Sequence, residues 1–190
     1  QDVLRSSLEA LEDGEVERVI RDIDPQLLLI SSYAPWLGIA ACRLAVPIVS
    51  FSSNLISVPD PMVPPFRSAR IPDASLRSRL ETTWAWSRVL IRRRLMDVTW
   101  NMTGELRRFA GRMGYPPQEI EFRVETWPRL SYPEVAMWPR EFDFPRSRPP
   151  KNAVFVEASV DSERKETPFP WERFDRGRPL VYCSLGTLVT

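Results

Sequence analysis

Between Pro25 and Asn54 the apolar positions change their period twice. Leu27, Leu28, Leu29 and Ile30 form an unbroken apolar run opened by Pro25, which predicts a parallel strand buried on both faces. Trp36 to Ala45 is rich in small residues and predicts a short helix. Val46 to Phe51 is β-branched and aromatic and predicts a second strand. Together they make a strand–helix–strand unit, whose right-handed crossover brings the strands parallel. Both strands finish on short polar side chains, Ser31 and Ser32 on the first and Ser50, Ser52, Ser53 and Asn54 on the second. Open parallel sheets bind ligands at the carboxyl ends of their strands, so a site is expected there.

Upstream, Asp2 can cap a helix carrying Val3, Leu4, Leu8 and Leu11. Gly14 interrupts that helix, and Val16, Val19, Ile20 and Ile23 resume the period up to Asp24-Pro25. These turns are expected to cover one face of the sheet. Downstream, Leu55 to Ile71 carries Pro59, Pro61, Pro64 and Pro65, with Ile56, Met62, Val63 and Phe66 expected to be exposed. A loop of this length is either a stiff connector or part of a site. Asp73 to Trp100 is the longest helical stretch, with Asp73 or Ser75 as cap and Leu76, Leu80, Thr83, Trp84, Leu90, Ile91, Leu95 and Val98 at helical spacing. Trp84 and Trp86 diverge on that helix, so one of them is exposed or lines a cavity. A further helix runs from Met102 to Met113 with Leu106, Phe109, Ala110 and Met113 inward, ended by Gly114 and Pro116-Pro117. Short strands are expected within Pro133 to Pro139, Asn152 to Val156 and Leu180 to Cys183, the last after a charged, linker-like stretch from Asp161 to Gly177.

Composition narrows the class. With 190 residues, 43% of them hydrophobic and 27% charged, the chain can build one good core or one domain and the start of another. The 19 prolines point to long ordered loops or a linker. A net charge of +1 gives no footprint for nucleic acid, and no apolar run approaches the roughly 20 residues that cross a bilayer. Cys42 and Cys183 are expected to be buried, reduced thiols, which fits a cytoplasmic protein. Asn101-Met102-Thr103 matches the glycosylation sequence and is read as chance. Arg88, Arg92, Arg93 and Arg94 form a basic flank, for which a solvated helix face is preferred to a peripheral membrane contact. No metal-ligand cluster, Gly-x-Ser-x-Gly or Gly-x-Gly-x-x-Gly occurs.

Four pieces taken in order carry a family resemblance: Val46-Pro47-Ile48-Val49-Ser50-Phe51-Ser52, Trp138-Pro139-Arg140-Glu141-Phe142-Asp143-Phe144-Pro145, Phe169-Pro170-Trp171, and Pro179-Leu180-Val181-Tyr182-Cys183-Ser184-Leu185-Gly186-Thr187. In this order and spacing the chain resembles nucleotide-sugar-dependent glycosyltransferases of the two-domain GT-B fold, notably the macrolide-type and UDP-glucuronosyltransferase-like enzymes. The resemblance implies an α/β fold with a Rossmann-like parallel sheet and flanking helices. It implies a partial acceptor-binding domain at 1–160, a linker at 161–178, and the first strand and loop of a donor-binding domain at 179–190. The family's Ser-x-Gly-Thr loop approaches the nucleotide sugar, which nominates Ser184, Gly186 and Thr187 for the donor. Hydroxyl and glycine-flanked N–H groups can approach a pyrophosphate without a Cβ clash.

The resemblance also implies inverting transfer from a UDP- or TDP-sugar, as co-substrate and without a cofactor, to a hydroxyl of a small apolar acceptor. Its general base is a histidine, and this chain has none; Ser31 stands where the family places the partner Asp. The 190 residues alone are therefore expected to be inactive. For the acceptor, the strand ends and the following loop and helix nominate Tyr33, Ser52, Asn54, Phe66 and Trp84, with Ile56, Met62 and Trp86 adding apolar surface. Two rivals stand beside this reading, a non-catalytic α/β module that binds a ligand or partner and a nucleotide-sugar epimerase on the same fold.

Overall fold

A computed structural model describes residues 2–56, 58–66, 68–125, 127–148, 150, 152–157, 163, 177 and 179. Gly14, at φ 74°, separates helix α1 (Asp2–Glu12) from α2 (Glu15–Ile23). Asp24 ends α2 in the left-handed region at φ 50°, and the chain enters strand β1 (Leu28–Ser31). The predicted crossover helix is shorter than expected, α3 (Pro35–Ala40) followed by a 3-10 turn over Ala41–Arg43. Strand β2 (Ile48–Ser52) follows, pairing in parallel with β1 from Leu28 opposite Ile48 to Ser31 opposite Phe51.

The 25 residues of α4 (Leu76–Trp100) start at Ser75, whose Oγ accepts from Ser78 N at 3.1 Å. Of the two candidate caps Ser75 is thus the N-cap, and Asp73 Oδ1 supports it by accepting from Ser75 N at 2.8 Å. Asn101, at φ 49°, breaks α4 from α5 (Met102–Met113). Asp97 Oδ1 then caps α5 by accepting from Thr103 N at 2.9 Å. Gly114, at φ 81°, ends α5 as the sequence predicts. Strands β3 (Glu134–Ala136) and β4 (Ala153–Phe155) fall within their predicted segments and complete a four-stranded parallel sheet in the order β1-β2-β3-β4. The protein is a mixed α/β fold, a parallel sheet flanked by helices.

The larger apolar cluster lies among the helices. Leu8, Ile39, Ala40, Leu106, Phe109, Ala110 and Met113 bury together with Tyr115 and Ile120. The four inward positions predicted for α5 are all buried. Phe109 is fully enclosed, which contributes about 1.5–3 kcal/mol by area. Gly38 lets α3 approach closely, because a Cβ there would meet Leu130 Cδ1 at 2.9 Å and Tyr132 Cε2 at 3.2 Å. Contrary to expectation, α1 packs chiefly on α2, α3 and α5, and α2 on α1 and α3, rather than on the sheet. A second cluster joins Ile56, Ala136 and Trp138 with Ala153 and Phe155.

Two further expectations change, and the divergence of the two tryptophans holds. β1 is an edge strand of the described sheet, with Leu27 46% and Leu29 62% exposed, so its apolar run is not buried on both faces. The loop after β2 hides Ile56 and Val63, and Asp60 pins it by accepting from Met62 N at 2.8 Å and Arg148 N at 3.0 Å. Of the two diverging tryptophans, Trp86 is buried with its Nε1 donating to Val63 O at 2.7 Å, while Trp84 is 67% exposed. Thus α4 is fastened to loops, at Val63 and through Arg93 to Val124 O, and its predicted apolar row faces outward.

By internal contacts the chain divides into Gln1–Ser159 and Val160–Thr190. The linker residues Phe169, Trp171 and Phe174, the strand Leu180 to Cys183, and the donor nominees Ser184, Gly186 and Thr187 lie outside the described residues.

Candidate functional site

The carboxyl ends of β1 and β2 lie side by side because the strands are parallel and in register. Each tip closes on itself through its polar residues. Ser31 Oγ accepts from Tyr33 N at 3.3 Å, and Ser52 Oγ donates to the Asn54 carbonyl at 2.8 Å. Asn54 Nδ2 donates to the Tyr33 hydroxyl, tying the two tips together. Beneath them Arg129 Nε donates to Glu134 Oε2 at 3.0 Å, an ion pair whose carboxylate side chain is only 7% exposed. Glu134 opens β3 opposite Ser50, so the sheet itself places this charge under the tips. The crevice among these groups, about 30 Å³, has room for little more than water.

A larger cleft begins where that crevice stops. Its volume is about 660 Å³, within the range of small-molecule sites. Tyr33 and Trp127 line both spaces and so join the strand tips to the cleft. Trp127 is set edge-on against Trp36 with ring centroids 5.2 Å apart, a favourable aromatic pairing. The α4 wall carries Arg92, Met96 and Trp100, one row at spacing four. Phe66 and Met102 add apolar surface, and Arg93, Asp97 and Glu125 supply charge at the margin. Arg93 Nη1 donates to Val124 O at 2.5 Å; burial lowers its pKa, and Asp97 offsets only part of that. Glu125 accepts from Phe66 N, which fastens the loop after β2 across the cleft.

This arrangement can enclose an apolar body and offer polar groups at one end. It holds a cationic side chain, Arg92, beside the aromatic wall and a phenol hydroxyl, Tyr33, toward the strand tips. Cys42 takes no part, since its thiol donates to Met113 O at 3.3 Å and burial pushes its pKa up.

Of the sequence-nominated acceptor residues, Tyr33, Ser52 and Asn54 meet at the strand tips, and Tyr33 and Phe66 share the cleft. Trp84, nominated with them, sits on the outward face of α4 and lines neither space. Trp86, also offered as acceptor surface, is instead a buried anchor for the loop. Sequence reading passed over Trp127, Trp100, Met96 and the Arg129–Glu134 pair. The row Arg92, Met96, Trp100 was a usable signal, for it marks a helix face distinct from the one bearing Trp84. Comparisons with protein-family models, curated proteins and solved structures find no match to this chain.

Proposed function

We propose that this chain is the acceptor-binding part of an inverting glycosyltransferase, the reading to which its sequence resemblance points. The observation that carries the proposal is the 660 Å³ cleft at the carboxyl end of a parallel sheet, walled by Tyr33, Trp127 and Trp100. A small, largely apolar alcohol fits such a space with its ring against the tryptophans and its hydroxyl toward Tyr33. In the full reaction a base removes the proton of that hydroxyl as its oxygen attacks the anomeric carbon of a UDP- or TDP-sugar. The bond to the nucleoside diphosphate breaks and the carbon inverts. The reading requires a base and a donor lobe from outside the described residues, with Ser184, Gly186 and Thr187 as this chain's own candidates for the donor.

A series of aromatic alcohols titrated against intrinsic fluorescence tests the acceptor half. Saturable quenching is expected that weakens in Trp127→Leu and Trp100→Ala and persists in Trp84→Phe. Quenching that disappears only in Trp84→Phe, or none that saturates, overturns the assignment of the cleft.

The second reading, a non-catalytic ligand-binding module, is favoured by two contacts. Ser31 is engaged with Tyr33 N, and Glu134 is held by Arg129, so neither group is placed to support a base. Ligand binding without sugar transfer, in a protein carrying both lobes, would select it.

A further inference from the structure

The outward face of α4 has no counterpart in the site described above. Leu76, Leu80, Trp84, Ile91, Leu95 and Val98 are each 58–81% exposed. At about 100° per residue they fall within one arc of about 100°, a stripe roughly 33 Å long. Isolated exposed apolar residues are ordinary, but six on one face over this length, interrupted by Ser87 between Trp84 and Ile91, mark a surface that something covers.

The charges around the stripe choose the occupant. On the same helical projection Arg77, Arg88 and Arg92 run along one border, and Arg94 lies at the other. Both acidic residues of α4 are paired, Glu81 on the same border with Arg70 and Arg77, and Asp97 with the amino end of α5. Arg88, Arg92 and Arg94 make no ion pair among the described residues, so the rim of the stripe is cationic. A second copy presenting the same face would set arginines against arginines. A sheet of anionic headgroups over an acyl layer complements both features, with arginines at headgroup level and Leu, Ile and Trp below. No helix among the described residues is long and apolar enough to cross a membrane, so the contact would be a surface one.

The geometry points to α4 as a membrane-surface helix that lies along an anionic bilayer with its Leu76-to-Val98 stripe inserted. This assignment does not depend on what the cleft binds. The basic flank that the sequence reading assigned to solvent becomes the electrostatic half of the contact.

Flotation of the full chain with vesicles of phosphatidylcholine, alone or with about one-third phosphatidylglycerol, tests it. Binding is expected only to the anionic vesicles, falling as salt rises. Each of Arg88→Gln and Arg94→Gln should weaken it about fivefold. Trp84→Ser with Ile91→Ser should weaken it roughly tenfold or more. All four substitutions alter exposed side chains, and circular dichroism checks that the fold is retained. With vesicles, tryptophan emission should shift to the blue, and less so in Trp84→Phe. Three results would overturn the proposal. They are no flotation at low salt, flotation unaffected by the Trp84/Ile91 pair, and a concentration-dependent dimer in sedimentation that this pair abolishes.

Discussion

Trp84 and Trp86, two residues apart on one helix, offer a sharp test of how α4 is seated. Trp86→Phe removes the donor to Val63 O in a region where Trp86 is 2% and Val63 3% exposed. Leaving a buried carbonyl unsatisfied costs about 1–3 kcal/mol. The indole-to-phenyl change also opens a void of about 40 Å³, and at about 24 cal/mol per Å³ this adds about 1 kcal/mol. The expected loss is therefore about 2–4 kcal/mol, which in a chain of this size lowers Tm by roughly 4–16 °C. Trp84→Phe, on the open face, should stay within about 0.5 kcal/mol of the parent. Urea denaturation followed by circular dichroism gives both values, with an unchanged m-value confirming that stability alone has shifted. If the two variants cost the same, or Trp84→Phe costs more, α4 is rotated from the orientation described and the exposed stripe is not exposed.

Gly38→Ala should destabilise by up to about 2 kcal/mol, since the clash with Leu130 and Tyr132 outweighs the gain in helix propensity; an unchanged denaturation midpoint would show that α3 can move away. Arg146→Ala should cost about 3–5 kcal/mol, because it strands the buried Asp143 carboxylate that Arg146 Nε meets at 2.7 Å, whereas Asp143→Leu with Arg146→Met should cost much less in the same assay. Tyr132 is raised well above the ordinary tyrosine pKa, first by burial and then by nearby Tyr115. Its neutral form is thus favoured by folding, so that contribution is complete below about pH 10 and is lost as pH rises through the folded-state value. Absorbance titration at alkaline pH should show a late step that disappears in Tyr132→Phe.

What could be read from the sequence tracks how one-sided each element is. α5 shows its apolar residues on a single face, and Leu106, Phe109, Ala110 and Met113 went inward as read. α4 is apolar on two faces, so periodicity identified a helix and left its orientation undetermined. The inward face is held by two donors to loop carbonyls distant in sequence, Trp86 to Val63 O and Arg93 to Val124 O. β1 misled for a similar reason. Four consecutive apolar residues say that a strand is hydrophobic, but its edge rank follows from β3 and β4 adding to the far side of β2, from segments distant along the chain. The strand tips were legible because short polar residues at strand ends are a local feature. Trp127 was not, for it stands in a proline-containing loop with no period, held there by the pairing of Glu121 with Arg129 and by contact with Trp36.

The three uses of α4 meet on one cylinder, which makes their independence an argument in its own right. On the helical projection Ile91 and Leu95 fall on the outward arc, Met96 and Trp100 on the cleft arc, and Trp86 on the buried arc. Cleft and buried arcs adjoin, whereas the outward arc is separated from both, with Arg92 standing between it and the cleft. Substitutions in adjoining arcs share packed neighbours and should couple, while those on the outward arc should add to the rest. Trp100→Ala combined with Ile91→Ser is therefore expected to show the sum of the two separate losses, the first in ligand quenching and the second in vesicle binding. Coupling between them would mean that cleft and stripe act as one surface, with the mouth of the cleft opening onto whatever covers α4.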